Sequence, residues 1–129
     1  MELNNMKTIL FVDDDSDWRS MVCTWLQGAG YNVIAVKNGI ECFNSVERAQ
    51  PDLVILDVGL DGEDGTLLMR VLKQRFQTMP VILYTGLSHD DDTILELMRE
   101  GAHQYVRKGK MSDLIDAVRM RLDFEATLN

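Results

Sequence analysis

Four short runs of apolar residues punctuate the chain: Ile9–Val12, Val33–Val36, Leu53–Leu56 and Val81–Tyr84. They are rich in Val, Ile and Leu and do not alternate with polar residues. Strands buried on both faces read this way, which predicts a parallel sheet covered by helices on each side. His103–Val106 is a weaker fifth candidate. Between the runs, apolar residues recur at helical spacing. Trp18, Met21, Val22, Trp25 and Leu26 share one helical face, with Asp15 or Ser16 as cap and Gly28 and Gly30 as the stop. Asn38 caps a second helix carrying Ile40, Phe43 and Val46 and ending before Pro51. Leu67, Leu68, Val71, Leu72 and Phe76 form a third stripe, and Ile94, Leu95, Leu97 and Met98 a fourth, which runs into Gly101. Ser112 caps a last helix with Leu114, Ile115, Val118 and Leu122 inward. Strand and helix alternate five times with short connections, an α/β pattern with right-handed crossovers. No repeat, linker or low-complexity segment interrupts it. The expectation is a single domain over residues 1–129, its core from about Met6 to Asp123.

Charge narrows the function. With 21 acidic residues against 13 basic ones, the formal net charge is -8, and no basic stripe is present. Direct nucleic-acid binding is therefore not expected of this domain, though a DNA-binding partner or output domain is compatible with it. Cys23 and Cys42 read as reduced thiols rather than a disulfide. The start Met1-Glu2-Leu3-Asn4-Asn5 lacks a signal-peptide pattern, and apolar runs of four residues are too short to cross a bilayer. Cytoplasm, with no membrane contact, is the expected location.

In an open parallel sheet, ligands collect outside the carboxyl ends of the strands. The first run is followed by Asp13-Asp14-Asp15, the third by Asp57, the fourth by Thr85-Gly86, and the fifth, two residues on, by Lys108. Each alone has an ordinary reading. Asp13–Asp15 could be a helix cap, Asp57 a turn residue, Thr85 a strand former and Lys108 a solvated lysine. Together they set carboxylates, a hydroxyl and an ammonium at one sheet edge. Clustered acids raise one another's pKa unless a cation neutralises them, and a hard divalent ion such as magnesium suits oxygen ligands. Lys108 and Thr85 then suit a phosphoryl group, and a carboxylate can attack phosphorus to form an acyl phosphate. Asp57, at the end of a central strand, is the best candidate. His89 and His103 have no metal-ligand spacing, and Asp90-Asp91-Asp92 reads as a solvated helix start.

Five segments in order carry a family resemblance: Ile9–Asp15, Pro51–Asp57, Asp64-Gly65, Pro80–Gly86 and Gly101–Lys108. The sequence resembles the receiver domain of two-component response regulators over nearly its whole length. That resemblance implies a flavodoxin-like (βα)5 three-layer sandwich with a five-stranded parallel sheet of order 2-1-3-4-5. It implies that Asp57 takes a phosphoryl group from a sensor histidine kinase or phosphotransfer protein. Asp13, Asp14, Asp57 and the main-chain carbonyl of Gly59 would hold magnesium, Asp13 mostly through water. Lys108 would contact the phosphate, while Thr85 and Tyr105 act as the switch. The face built from the fourth helix, fifth strand and fifth helix would then change for a downstream target or output domain, and homodimerisation through it is open.

The sequence departs from the family at two positions. Asp61 and Gly109 stand where the family usually has proline. Without proline a cis bond costs about 2.5–4 kcal/mol, so the Lys108–Gly109 peptide should be trans. The resemblance implies that Gly59 and Leu87 lie beside the site, and neither offers a polar side chain to hold an attacking water, so a fairly long-lived acyl phosphate is expected. Glycine at position 59 also argues against an aspartyl-phosphate phosphatase, which usually has a second acid there. Self-phosphorylation and autodephosphorylation are then the only chemistry expected. The competing reading is a receiver-like interaction module without phosphoryl chemistry.

Overall fold

The computed structural model describes residues 6–59, 65–86 and 91–128. Each apolar run is a strand: β1 (Thr8–Val12), β2 (Asn32–Val36), β3 (Leu53–Leu56), β4 (Val81–Thr85) and β5 (Gln104–Arg107). They alternate with helices α1 (Ser16–Gly28), α2 (Gly39–Ala49), α3 (Gly65–Arg75), α4 (Asp91–Arg99) and α5 (Met111–Leu128). All neighbouring strands are parallel and lie in the order β2-β1-β3-β4-β5. This is the flavodoxin-like topology that the resemblance implies.

Side chains alternate across the sheet, so each strand feeds two cores. Leu10, Val12, Val54, Leu56, Val81 and Leu83 point to one face, where Cys42 and Val46 of α2, Leu68 and Leu72 of α3, and Leu97 of α4 cover them. Ile9, Phe11, Leu53, Ile55, Ile82 and Tyr84 point to the other, under Val22 and Leu26 of α1 and Leu114, Val118 and Leu122 of α5. Full burial of each large aliphatic contributes roughly 1.5–3 kcal/mol, which explains why apolar runs, rather than alternation, mark these strands. Cys23 and Cys42 are free thiols. No described helix is long and apolar enough to cross a membrane.

Local caps tie the helices to the strand ends. Asp15 is the N-cap of α1, its Oδ1 accepting from the amides of Asp17 at 2.9 Å and Trp18 at 3.2 Å. Asn38 caps α2 by accepting from the Glu41 amide at 2.9 Å, and Glu41 reciprocates by accepting from the Lys37 amide at 3.1 Å. Ser112 does not cap α5. That helix begins at Met111, and the Lys110 carbonyl already accepts from the Asp113 amide at 3.1 Å.

The helical stripes are narrower than their spacing suggests. Met21, Trp25, Ile40, Leu67 and Leu95, all expected inward, are exposed, Trp25 at 52% and Ile40 at 75%. On α1 the contact with the sheet buries Val22 and Leu26, four apart, and leaves Met21 and Trp25 on the flank. Trp25 instead lines an open groove between α1 and α5 beside Thr24, Ile115 and Arg119.

Candidate functional site

The sheet register brings the acids together. Val12 of β1 is paired with Leu56 of β3, so the next residue on each strand, Asp13 and Asp57, falls side by side. The Asp57 amide donates to the Val12 carbonyl at 2.9 Å, which extends the ladder to this level. Both side chains are buried. Asp57 Oδ1 accepts from the Gly59 amide at 2.9 Å, and Asp13 Oδ1 from the Asp15 amide at 2.9 Å. Exposed Asp14 completes a group in which one carboxylate oxygen from each of Asp13, Asp14 and Asp57 lies within 4.8 Å of the others.

Lys108 enters from the far side of the sheet. Its amide donates to the Thr85 carbonyl at 2.9 Å, fixing the loop after β5 to the end of β4. The described backbone has no cis peptide bond, so Lys108–Gly109 is trans as expected, and Gly109 takes φ +120, a left-handed angle that suits glycine. The Lys108 Nζ donates to Asp57 Oδ2 at 2.9 Å and forms an ion pair with Asp13 Oδ2 at 2.7 Å. The second contact lacks hydrogen-bond geometry, leaving Asp13 Oδ2 buried and neutralised but without a directed donor.

Burial pushes the Asp13 pKa up, with the Asp57 charge adding to the rise while Lys108 and the Asp15 amide oppose it. Burial alone would lower the Lys108 pKa, but its two carboxylate partners outweigh that and raise it. An oxygen-only donor set, converging acids and an underserved buried carboxylate oxygen together fit a hard divalent cation.

Thr85 is buried as the last residue of β4, and Tyr105 is half-buried on β5, paired with Leu83. Tyr105 packs against the same core as Leu83. Thr85, two residues beyond Leu83, faces that same side by strand alternation, one pleat closer to the acids. Asp13, Asp14, Asp57 and Lys108 are thus gathered at one point, with Thr85 adjoining and Tyr105 behind it. Leu60, Asp61, Asp64, Leu87, His89 and Asp90 lie outside the described residues.

Helical spacing makes Trp18 a core or part-core residue, and it is indeed half-buried against the core under α1 and α5. That spacing does not reveal Trp18's second contact, at the site. The Lys108 Nζ lies 5.4 Å from its ring centroid and 5.8 Å from that of Tyr84. Nothing in the helical spacing distinguishes a ring over a lysine from a ring over a leucine.

Residues 9–119 match the family model of the response regulator receiver domain. The chain belongs to that family. As a receiver domain it is a component of two-component phosphorelay signalling. It is 34% identical over 115 residues to the DNA-binding response regulator MtrA of Mycobacterium tuberculosis, covering 88% of this chain and 50% of that protein. It is 37% identical over 106 residues to the transcriptional regulatory protein GltR of Pseudomonas aeruginosa, covering 81% of this chain and 43% of that one. The receiver therefore spans about half the length, or less, of these curated relatives. Among solved structures, a CheY-like response regulator receiver domain protein from Methanospirillum hungatei superposes with a TM-score of 0.87 at 25% identity, over 97% of this chain and 100% of that one.

Proposed function

We propose that Asp57 is the phosphoacceptor of this receiver and that Asp13, Asp14, Asp57 and the Gly59 carbonyl hold magnesium. The donor is the phosphohistidine of a sensor histidine kinase or phosphotransfer protein. An Asp57 carboxylate oxygen attacks phosphorus, an O–P bond forms, the P–N bond breaks, and the leaving imidazole takes a proton from water. Magnesium, when bound, neutralises charge that builds on the phosphoryl oxygens. Lys108 holds one of those oxygens as a point charge. The buried Asp57 carboxylate, 2.9 Å from the Lys108 ammonium and grouped with two further acids, supports this reading most directly.

The same reading assigns the switch. Thr85 moves toward the phosphoryl group, Tyr105 packs further inward, and the face of α4, β5 and α5 is re-formed for a downstream target or output domain. Homodimerisation through this face belongs to the proposal, as does a cytoplasmic location. Beyond self-phosphorylation and autodephosphorylation no enzyme activity is assigned.

Incubation with acetyl phosphate and magnesium should add one phosphoryl group, mapped to Asp57 by mass spectrometry and absent from Asp57→Asn. No adduct on the wild-type protein, together with an NMR spectrum unmoved by beryllofluoride and magnesium, would overturn the reading in favour of an interaction module. Thr85→Ala should still accept the group but show a smaller shift across α4 and β5.

A further inference from the structure

A lysine ammonium on a four-carbon stem has many rotamers, and holding it at one point requires partners on several sides. At Lys108 one N–H is directed at Asp57 Oδ2, and Asp13 Oδ2 adds an ion-pair contact at 2.7 Å. Two aromatic rings also face it among the described residues. Trp18 of α1 lies 5.4 Å away and Tyr84 of β4 5.8 Å, within the range at which a ring's negative face attracts a cation. The rings meet edge to face, 6.0 Å apart at 77°, and Tyr84 leans in turn on Phe11 at 6.0 Å.

This pair is anchored to the acid site. The Trp18 amide is held by the Asp15 cap at 3.2 Å. The next residue, Arg19, donates from Nη1 to the Asp13 carbonyl at 2.8 Å. Tyr84 is fully buried immediately before Thr85. Lys108 retains only 15% of its side-chain exposure, so water does little of the solvation of its ammonium.

We propose that Trp18 and Tyr84 form an aromatic seat that positions the Lys108 ammonium within reach of a phosphoryl group on Asp57. Both are positioning residues, since neither touches the reacting atoms. The inference rests on the assignment of Lys108 as the phosphoryl contact. The seat restrains the ammonium before the phosphoryl group arrives, so less freedom is lost when the contact forms. It also couples α1 and β4 to the state of Asp57 and makes Trp18 a built-in optical reporter of that state.

The first measurement needs no variant. In metal-free wild-type protein, ring currents should move the Lys108 ε-methylene proton signals upfield of those of the other lysines. The variants are compared in a Trp25→Phe background, which leaves Trp18 as the one tryptophan. Trp18→Met removes the ring at similar length, and Trp18→Phe keeps one. Trp18→Met should weaken the binding of beryllofluoride in saturating magnesium by about three- to thirtyfold, the scale of one desolvated cation–π contact. Its affinity for magnesium alone should stay within about twofold, and Trp18→Phe should recover most of the loss. Wild-type Lys108 signals among those of the other lysines would overturn the seat, whether or not the variants fold. So would an unchanged beryllofluoride affinity in Trp18→Met, or Trp18→Phe as impaired as Trp18→Met. A wild-type protein blind to beryllofluoride but showing the upfield signals would instead overturn the phosphoacceptor reading and leave the contact itself standing.

Discussion

Lys108 and Asp57, 51 residues apart in the chain, meet at 2.9 Å from Nζ to Oδ2. The same ammonium lies 2.7 Å from Asp13 Oδ2, so one cation from the loop after β5 serves two buried carboxylates from β1 and β3. It acts as the internal counter-ion of the acid site.

Lys108→Ala leaves those carboxylates uncompensated. Removing one partner of a buried ion pair costs about 3–5 kcal/mol, and the partial exposure here places the loss near the lower end. A divalent cation can take over the neutralising role, so magnesium should raise the melting temperature of Lys108→Ala more than that of the wild type. Differential scanning calorimetry with and without magnesium checks this, and equal increments would argue against the counter-ion role.

Gly65 opens α3 against the backbone of Val58, where an added Cβ would overlap the Val58 carbonyl. Gly65→Ala must push apart two backbone segments, one of them directly after Asp57. A loss of about 1–3 kcal/mol in urea unfolding is expected, with perturbed NMR signals at Asp57 and Gly59. A variant as stable as the parent would show that the segment can yield.

Alkaline stability should depend on Tyr31. Burial, followed by its bond to Asp123 at 3.0 Å, pushes its pKa from 10.0 up to about 12. Between those values the unfolded chain has lost the phenolic proton while the folded one keeps it. The stabilisation is complete below pH 10 and is lost as pH rises toward about 12. It is on the order of 1–2 kcal/mol. Tyr31→Phe should therefore narrow the gap in unfolding free energy between pH 9 and pH 11. Tyr84, raised to about 12 chiefly by burial, contributes a similar loss that Tyr31→Phe leaves in place.

Asn38 holds the first turn of α2 through its bond to the Glu41 amide. Asn38→Ala should cost about 1 kcal/mol. Glu47→Ala, which removes an exposed ion pair with Arg75, should cost under about 0.5 kcal/mol. Chemical denaturation of both variants tests the contrast, and a larger loss at Glu47 would reverse the ranking.

The central strands β1, β3 and β4 were legible because burial on both faces leaves no room for a polar residue, and Ile9–Val12 or Leu53–Leu56 can hardly be read otherwise, while the edge strand β2 is apolar from Val33 though mostly part-buried. Their ends shifted by a residue, as at Thr8 and Thr85, because pairing with a neighbour rather than hydropathy sets where a ladder stops. The helix faces were less legible. Periodicity places Met21 and Val22 on one side of α1, but only contact with the sheet decides that Val22 is inside and Met21 on the flank. Ser112 could cap a helix by its chemistry, yet α5 starts one residue earlier.

The order of apolar runs and the polar residue after each were sufficient to determine the fold class and to nominate Asp13, Asp14, Asp57, Thr85 and Lys108. Both follow from local chemistry, since burial selects the residues of a strand and strand ends face solvent. Which of those groups touch was decided by register and loop path: Val12 beside Leu56 sets Asp13 against Asp57, and the Lys108 amide on the Thr85 carbonyl sends the ammonium between them. The placing of Trp18 over that ammonium belongs wholly to tertiary structure, because the angle at which α1 leaves its Asp15 cap is written in no spacing along the chain.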